Sequence, residues 1–113
     1  MRTGVARYRG TQVLKLFDAH FHIIDDRFPL TPNHGYLPPA FTCNDYLERM
    51  NGYERVGGAV VSGSFQNIDQ FYLVHALARL GPSFVGVTQL PESVSNQSIL
   101  DLHKSGIRAL RFN

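Results

Sequence analysis

One cysteine, Cys43, stands in 113 residues, which excludes an internal disulfide framework and points to a reducing, cytoplasmic setting. No apolar run approaches the roughly 18–20 residues that cross a bilayer, so a membrane is not an expected partner. Arg2, Arg7 and Arg9 cluster near the start, but no apolar stretch follows them, which argues against a secretory signal. Charge is sparse. Only 18% of residues carry one, and the formal net charge of +2 is spread without a basic block, so nucleic acid is not an expected partner either. What remains is a globular composition, 43% hydrophobic, enough for the core of about one small domain.

The pattern along the chain repeats. Residues 1–14 read as an irregular lead-in. A strand is expected over 15–23. A long loop from Asp25 to Phe41 holds Pro29, Pro32, Pro38, Pro39 and Gly35. Proline fixes the backbone and restricts the residue before it, so this loop should be stiff, and ordered loops of this length are often functional. Thr42 followed by Asp45 has the form of a capping box, opening a helix to about Met50 that Gly52 stops. The Val/Ala/Gly run from Val56 to Gly63 suits a parallel strand covered on both faces. A second helix is expected over 68–80, capped by Asn67, with Ile68, Phe71, Tyr72 and His75 on one buried stripe that Leu73, Leu77 and Leu80 widen, and Gly81-Pro82 at its end. Phe84 to Leu90 reads as a strand, 96–105 as a short helix stopped by Gly106, and Ile107 to Phe112 as a fourth strand. Strands alternating with helices imply a parallel sheet with right-handed crossovers.

Two strand ends carry chemistry. In Leu16-Phe17-Asp18-Ala19-His20-Phe21-His22-Ile23, residues two apart share a face. Leu16, Asp18, His20 and His22 should point one way, and Phe17, Ala19, Phe21 and Ile23 the other. Two imidazoles side by side suit two ligands of one metal ion, or two acid–base groups at one site. The spacing is equally that of a half-exposed strand with unrelated histidines. In the fourth strand, Leu110 and Phe112 should meet helices while Arg111 and Asn113 emerge at the C-terminal end, where sites form in parallel α/β folds. An arginine there can grip a carboxylate with two hydrogen bonds; a surface arginine is the plainer alternative. His75 reads as a packing residue, His34 as a solvated loop residue, His103 as a helix-end residue and Cys43 as filler near a helix start.

These motifs resemble a known family. Asp18-Ala19-His20-Phe21-His22 is similar to the Asp-x-His-x-His signature of the amidohydrolase superfamily. Within it, His20-Phe21-His22-Ile23, Phe28-Pro29, Tyr36-Leu37-Pro38-Pro39, the helix from Asn67 to Ala78 and Gly106-Ile107-Arg108-Ala109-Leu110-Arg111-Phe112-Asn113 resemble the amidohydrolase-2 group, which includes the pyrone dicarboxylate lactonases. The likeness runs over residues 15–113. It departs at Phe65-Gln66, where a Tyr-Gly pair is common. The resemblance implies a (β/α)8 barrel and hydrolysis of a lactone or related carboxylated ring ester. It implies that His20 and His22 bind a divalent metal such as zinc or manganese, as in most of the superfamily, or stand without metal, as in the pyrone lactonases. It places Arg111 on a substrate carboxylate, with Tyr36 and Ser64 lining the same pocket.

A barrel of this kind takes about 250 residues. The later-strand histidines and the aspartate that serves as general base in the family do not occur in this sequence. The chain therefore reads as the N-terminal (β/α)4 half of a TIM-type barrel, with no catalytic residue assigned and no turnover expected of it alone. Open first and fourth strand edges and an uncovered apolar face predict a homo-oligomer. The alternative is a non-catalytic α/β domain that acts as a binding or assembly module. An enzyme-like half should gather His20, His22 and Arg111; an independent module should scatter them.

Overall fold

The computed structural model describes residues 7–8 and 12–112. Asn113 and most of the lead-in lie outside the described residues. Within the lead-in, β1 (Arg7–Tyr8) and β2 (Gln12–Val13) form a short antiparallel pair rather than an irregular segment. The rest follows the expected alternation: β3 (Lys15–Phe21), α1 (Cys43–Arg49), β4 (Glu54–Val61), α2 (Phe71–Leu80), β5 (Phe84–Thr88), α3 (Asn96–Lys104) and β6 (Ile107–Leu110). The four long strands are all parallel and lie in the order β3-β4-β5-β6. Chain order equal to spatial order, with a helix between successive strands, is the arrangement of half a (β/α)8 barrel. Right-handed crossovers of this kind put every helix on one side of the sheet.

The core lies between that side and the helices. Ile23, Val60, Phe84 and Ile107 from the sheet region meet Cys43 and Tyr46 of α1 and Tyr72, Leu73, Ala76 and Leu77 of α2. Two glycines permit the approach. A methyl group at Gly58 would lie 2.6 Å from the Asp18 carbonyl oxygen, and one at Gly86 would lie 2.9 Å from Leu77. Phe21 stacks on Tyr46 with ring centroids 4.0 Å apart and meets Phe84 edge-on. The expected capping box of α1 is present, with Thr42 Oγ1 accepting from the Asp45 amide and Asp45 accepting from the Thr42 amide.

Three expectations are corrected. First, strict alternation along β3 fails. Asp18 pairs with Gly58 but Phe21 pairs with Val60, so three steps on β3 face two on β4. The extra residue is a bulge, and it reverses the side on which later residues emerge. Asp18 therefore faces α1, where its carboxylate accepts from the Tyr46 hydroxyl at 3.1 Å, and does not share the histidines' face. Phe17, expected on one face with Phe21 and Ile23, is 62% exposed.

Second, α2 starts at Phe71. Asn67 sits at φ +51°, outside the helix, and its amide nitrogen donates to Thr31 Oγ1 instead. Gln70 is the first flanking residue, and its side chain donates to Thr88 Oγ1 and the Gln89 carbonyl, tying the helix start to the end of β5. The buried stripe is Tyr72, Leu73, Ala76 and Leu77, three of them expected, whereas Phe71 is 74% exposed. His75 is exposed, with its ring 5.5 Å from that of Phe28.

Third, a register shift between β5 and β6, with Gly86 opposite Ile107 but Val87 opposite Ala109, breaks the alternation of the last strand. Ile107, expected on the face of Arg111, is instead buried in the core beneath the helices; Leu110, opposite Thr88, lies on the helix side as expected and lines a groove with Ile99 and Leu102 of α3, yet it and Phe112 are 47% and 85% exposed.

The proline-rich loop is ordered, as its composition predicts. Its base is closed by reciprocal hydrogen bonds between Ile24 and Phe41 at 2.8 and 2.7 Å. At its tip, Asn33 and Tyr36 pair across a tight turn. His34 and Gly35 both have left-handed backbones, φ +51° and +78°, the demand of a type I′ turn that glycine meets without strain.

Candidate functional site

His20 lies at the end of β3 and His22 just beyond it. Their rings stand at right angles with centroids 5.1 Å apart, and both are exposed. Asp18 aside, the two imidazoles thus meet as expected. His22 Nδ1 lies 2.7 Å from the Val61 carbonyl oxygen. A carbonyl only accepts, so Nδ1 carries the proton and the neutral ring keeps its lone pair on Nε2.

Arg111 follows β6. Its amide donates to the Thr88 carbonyl at 2.9 Å, continuing the ladder with β5. Its Nη1 reaches over the end of β5 to donate to the Ser62 carbonyl at 2.7 Å. Val61 and Ser62 are adjacent, so two successive carbonyls at the C-terminal end of β4 hold His22 from one side and Arg111 from the other. Among the described residues, its other guanidinium nitrogens make no hydrogen bond.

The loop from Asp25 to Phe41 is laced onto the loop after β4. The Thr31 amide donates to the Phe65 carbonyl at 2.7 Å, and Asn33 Nδ2 donates to Ser64 Oγ at 3.0 Å. Tyr36 is exposed and meets Phe65 edge-on, with centroids 6.2 Å apart. Tyr36 and Ser64 are therefore brought together. The loop after β4 comes near His22 at Gly63, where a methyl group would sit 3.5 Å from the Phe65 ring and 3.9 Å from His22 Nδ1.

Gln66 escaped sequence reasoning. It is buried; its Oε1 accepts from the Gly63 amide at 2.7 Å and its Nε2 donates to the Ile23 carbonyl at 2.9 Å. It clamps the segment after His22 to the loop after β4. No local pattern marks it, because its role depends on Ile23 and Gly63 lying side by side in the folded chain. Behind Arg111, the Tyr72 hydroxyl is buried beside Asp69 and Ser62, and burial, reinforced by the Asp69 charge, pushes its ionisation well above the ordinary phenol range.

Other candidates stay apart. His34 is exposed at the loop tip, and the His103 carbonyl accepts from Arg108. Cys43 is buried in α1, and burial pushes its thiol up, away from a nucleophile's range. As metal ligands, His20 and His22 supply two of the three or four protein donors a divalent site takes. Among the described residues no group of three or more His, Cys, Asp or Glu side chains gathers into a metal site, and the one carboxylate of the motif, Asp18, is turned toward Tyr46. The pair fits as part of a donor set.

No family model matches the chain. A 2-pyrone-4,6-dicarboxylate hydrolase of Comamonas testosteroni is 29% identical over 104 residues, covering 85% of this chain and 32% of the relative. Among solved structures, a protein from Pseudomonas putida named as a 2-pyrone-4,6-dicarboxylic acid hydrolase is 26% identical, with a TM-score of 0.68 over 86% of this chain and 36% of the other. The chain resembles the 2-pyrone-4,6-dicarboxylate hydrolases, proteins of amidohydrolase-2 type. It spans about a third of the length of these relatives. A further structure of a protein so named, from Acinetobacter baumannii with citric acid bound, shares the fold at a TM-score of 0.76 and 17% identity, over 86% of this chain and 37% of that one. Among the described residues, no helix is long and apolar enough to cross a membrane.

Proposed function

We propose that residues 15–113 are the N-terminal half of an amidohydrolase-like barrel whose activity is hydrolysis of a lactone or related carboxylated ring ester. The observation that carries this reading is the anchoring of His22 and Arg111 on the adjacent carbonyls of Val61 and Ser62. It sets a cation and an imidazole at one strand end, where parallel α/β folds bind their ligands. The names of the relatives supply the substrate class.

In this reading Arg111 binds a ring carboxylate through its free guanidinium donors. Tyr36 and Ser64 line the same mouth; Ser64 accepts from Asn33, so its hydroxyl hydrogen is the part left for a ligand. His22, with its proton held on Nδ1, offers the Nε2 lone pair toward water or the ester carbonyl. In the overall reaction water adds to that carbonyl, the ring C–O bond breaks, and the leaving oxygen takes up a proton. A divalent ion, where one binds, would be held in part by His20 and His22 and would polarise the carbonyl. The chain's own contribution is binding and orientation, and no general base is assigned within it. A reducing, cytoplasmic setting goes with this reading.

A second reading, an assembly module, is favoured by one feature: Leu110 and Phe112 stand exposed at the β6 edge. Binding separates the two. Titrating the purified chain with 2-pyrone-4,6-dicarboxylate should give saturable binding that Arg111→Gln weakens about tenfold or more, the value of a charge-assisted hydrogen bond. Equal affinity of both proteins would remove Arg111 from the site and favour the module.

A further inference from the structure

Phe65 is half-buried two residues beyond Gly63, which borders His22, and its side chain makes no hydrogen bond. The ties between its loop and the proline-rich loop run through the Phe65 carbonyl, Ser64 Oγ and the Asn67 amide. A smaller residue would serve them equally. Yet the ring packs edge-on against Tyr36, and a methyl group on Gly63 would lie 3.5 Å from it and 3.9 Å from His22 Nδ1. Lacking a hydroxyl, it presents a π face and an apolar edge and nothing else.

We propose that Phe65 is a specificity-determining residue: its ring forms an aromatic wall beside His22 that favours flat, conjugated ring acids over open-chain acids of equal charge. This rests on the reading in which Arg111 holds a ligand carboxylate. Arg111 attracts any carboxylate and cannot distinguish a planar acid from a flexible one. A flat ring gains an offset or edge-on aromatic contact, which contributes about three- to tenfold in affinity; a flexible chain gains little from it.

The test compares two probes on the 113-residue chain, pyridine-2,4-dicarboxylate as a flat diacid that cannot be hydrolysed and glutarate as an open-chain diacid. Phe65→Leu keeps apolar bulk and removes the ring. It should weaken pyridine dicarboxylate three- to tenfold and leave glutarate within twofold, and Phe65→Tyr should restore the preference. Equal weakening of both probes would make Phe65 a merely structural residue, and no weakening of either would remove it from the site; both outcomes overturn the proposal while leaving the Arg111 reading intact. Failure of the unsubstituted chain to bind either diacid would overturn the Arg111 reading and this proposal with it.

Discussion

Replacing Gln66 with alanine tests the clamp that assembles the site. The side chain is buried and makes two hydrogen bonds to main-chain groups, from Gly63 N–H at 2.7 Å and to Ile23 C=O at 2.9 Å. Alanine removes both and strands a buried donor and a buried acceptor. Each stranded group costs about 1–3 kcal/mol, so the expected loss is roughly 2–6 kcal/mol, with some added for the space left behind. A domain of this size holds about 5–15 kcal/mol in all, so a shift of this size is plain in urea melts followed by circular dichroism. Gln66→Glu sharpens the test. The carboxylate still accepts from Gly63 but sets an oxygen against the Ile23 carbonyl; burial and that repulsion raise its folded-state pKa. The protonated form can donate to Ile23 as the amide does. The Glu variant should therefore be weakened at neutral pH and regain stability, relative to the unsubstituted protein, as pH falls toward 5. A loss under about 0.5 kcal/mol for Gln66→Ala, or a Glu variant with no such pH dependence, would refute the clamp.

Three more outcomes follow from the geometry. Gly58→Ala sets a methyl group 2.6 Å from the Asp18 carbonyl oxygen and 2.9 Å from the Phe84 ring, and should cost about 1–3 kcal/mol or more in a urea melt as an overpacked core does. Asp25 is buried, and the hydrogen bond from Arg27, which outweighs its desolvation, holds its carboxyl below the usual value of 3.8; its stabilisation is present above that pH and lost as pH falls through the folded-state value, so Arg27→Gln should lower stability at neutral pH and remove that acid-dependent part, read from melts between pH 2 and 6. The exposed Leu110 and Phe112 at the β6 edge should drive self-association at micromolar concentration; sedimentation should show it, Leu110→Lys should reduce it, and a monodisperse monomer unchanged by that substitution would count against an open edge.

The order of elements was legible because each strand and helix carries its own period and its own stop signals, from the Thr42–Asp45 box to Gly81-Pro82 and Gly106. The meeting of His20 with His22 was legible because both lie beyond the bulge, where their two-residue spacing again puts them on one side. What failed was everything that crosses a register shift. Asp18 precedes the bulge and so turns to Tyr46; Ile107 precedes the shift in β6 and so turns to the core rather than to the face of Arg111. Bulges arise from pairing between strands far apart in sequence, and no local pattern in β3 or β6 announces them. Asn67 misled for a similar reason: it has a capping residue's chemistry, but Gln70 is bound to the end of β5 and fixes the helix start three residues later. The anchoring of His22 and Arg111 on Val61 and Ser62 was invisible because it runs through backbone carbonyls, which carry no sequence signature.

The proposed function depends on where a carboxylated ring binds. Backbone and histidine NMR shifts of the chain titrated with 2-pyrone-4,6-dicarboxylate measure that directly. The proposed function predicts saturable shifts centred on His22, Gly63, Phe65 and Arg111, at the C-terminal ends of the strands. Shifts centred instead on the groove between α2 and α3, at Phe71, Val94 and Leu102, with His22 and Arg111 unmoved, would contradict it.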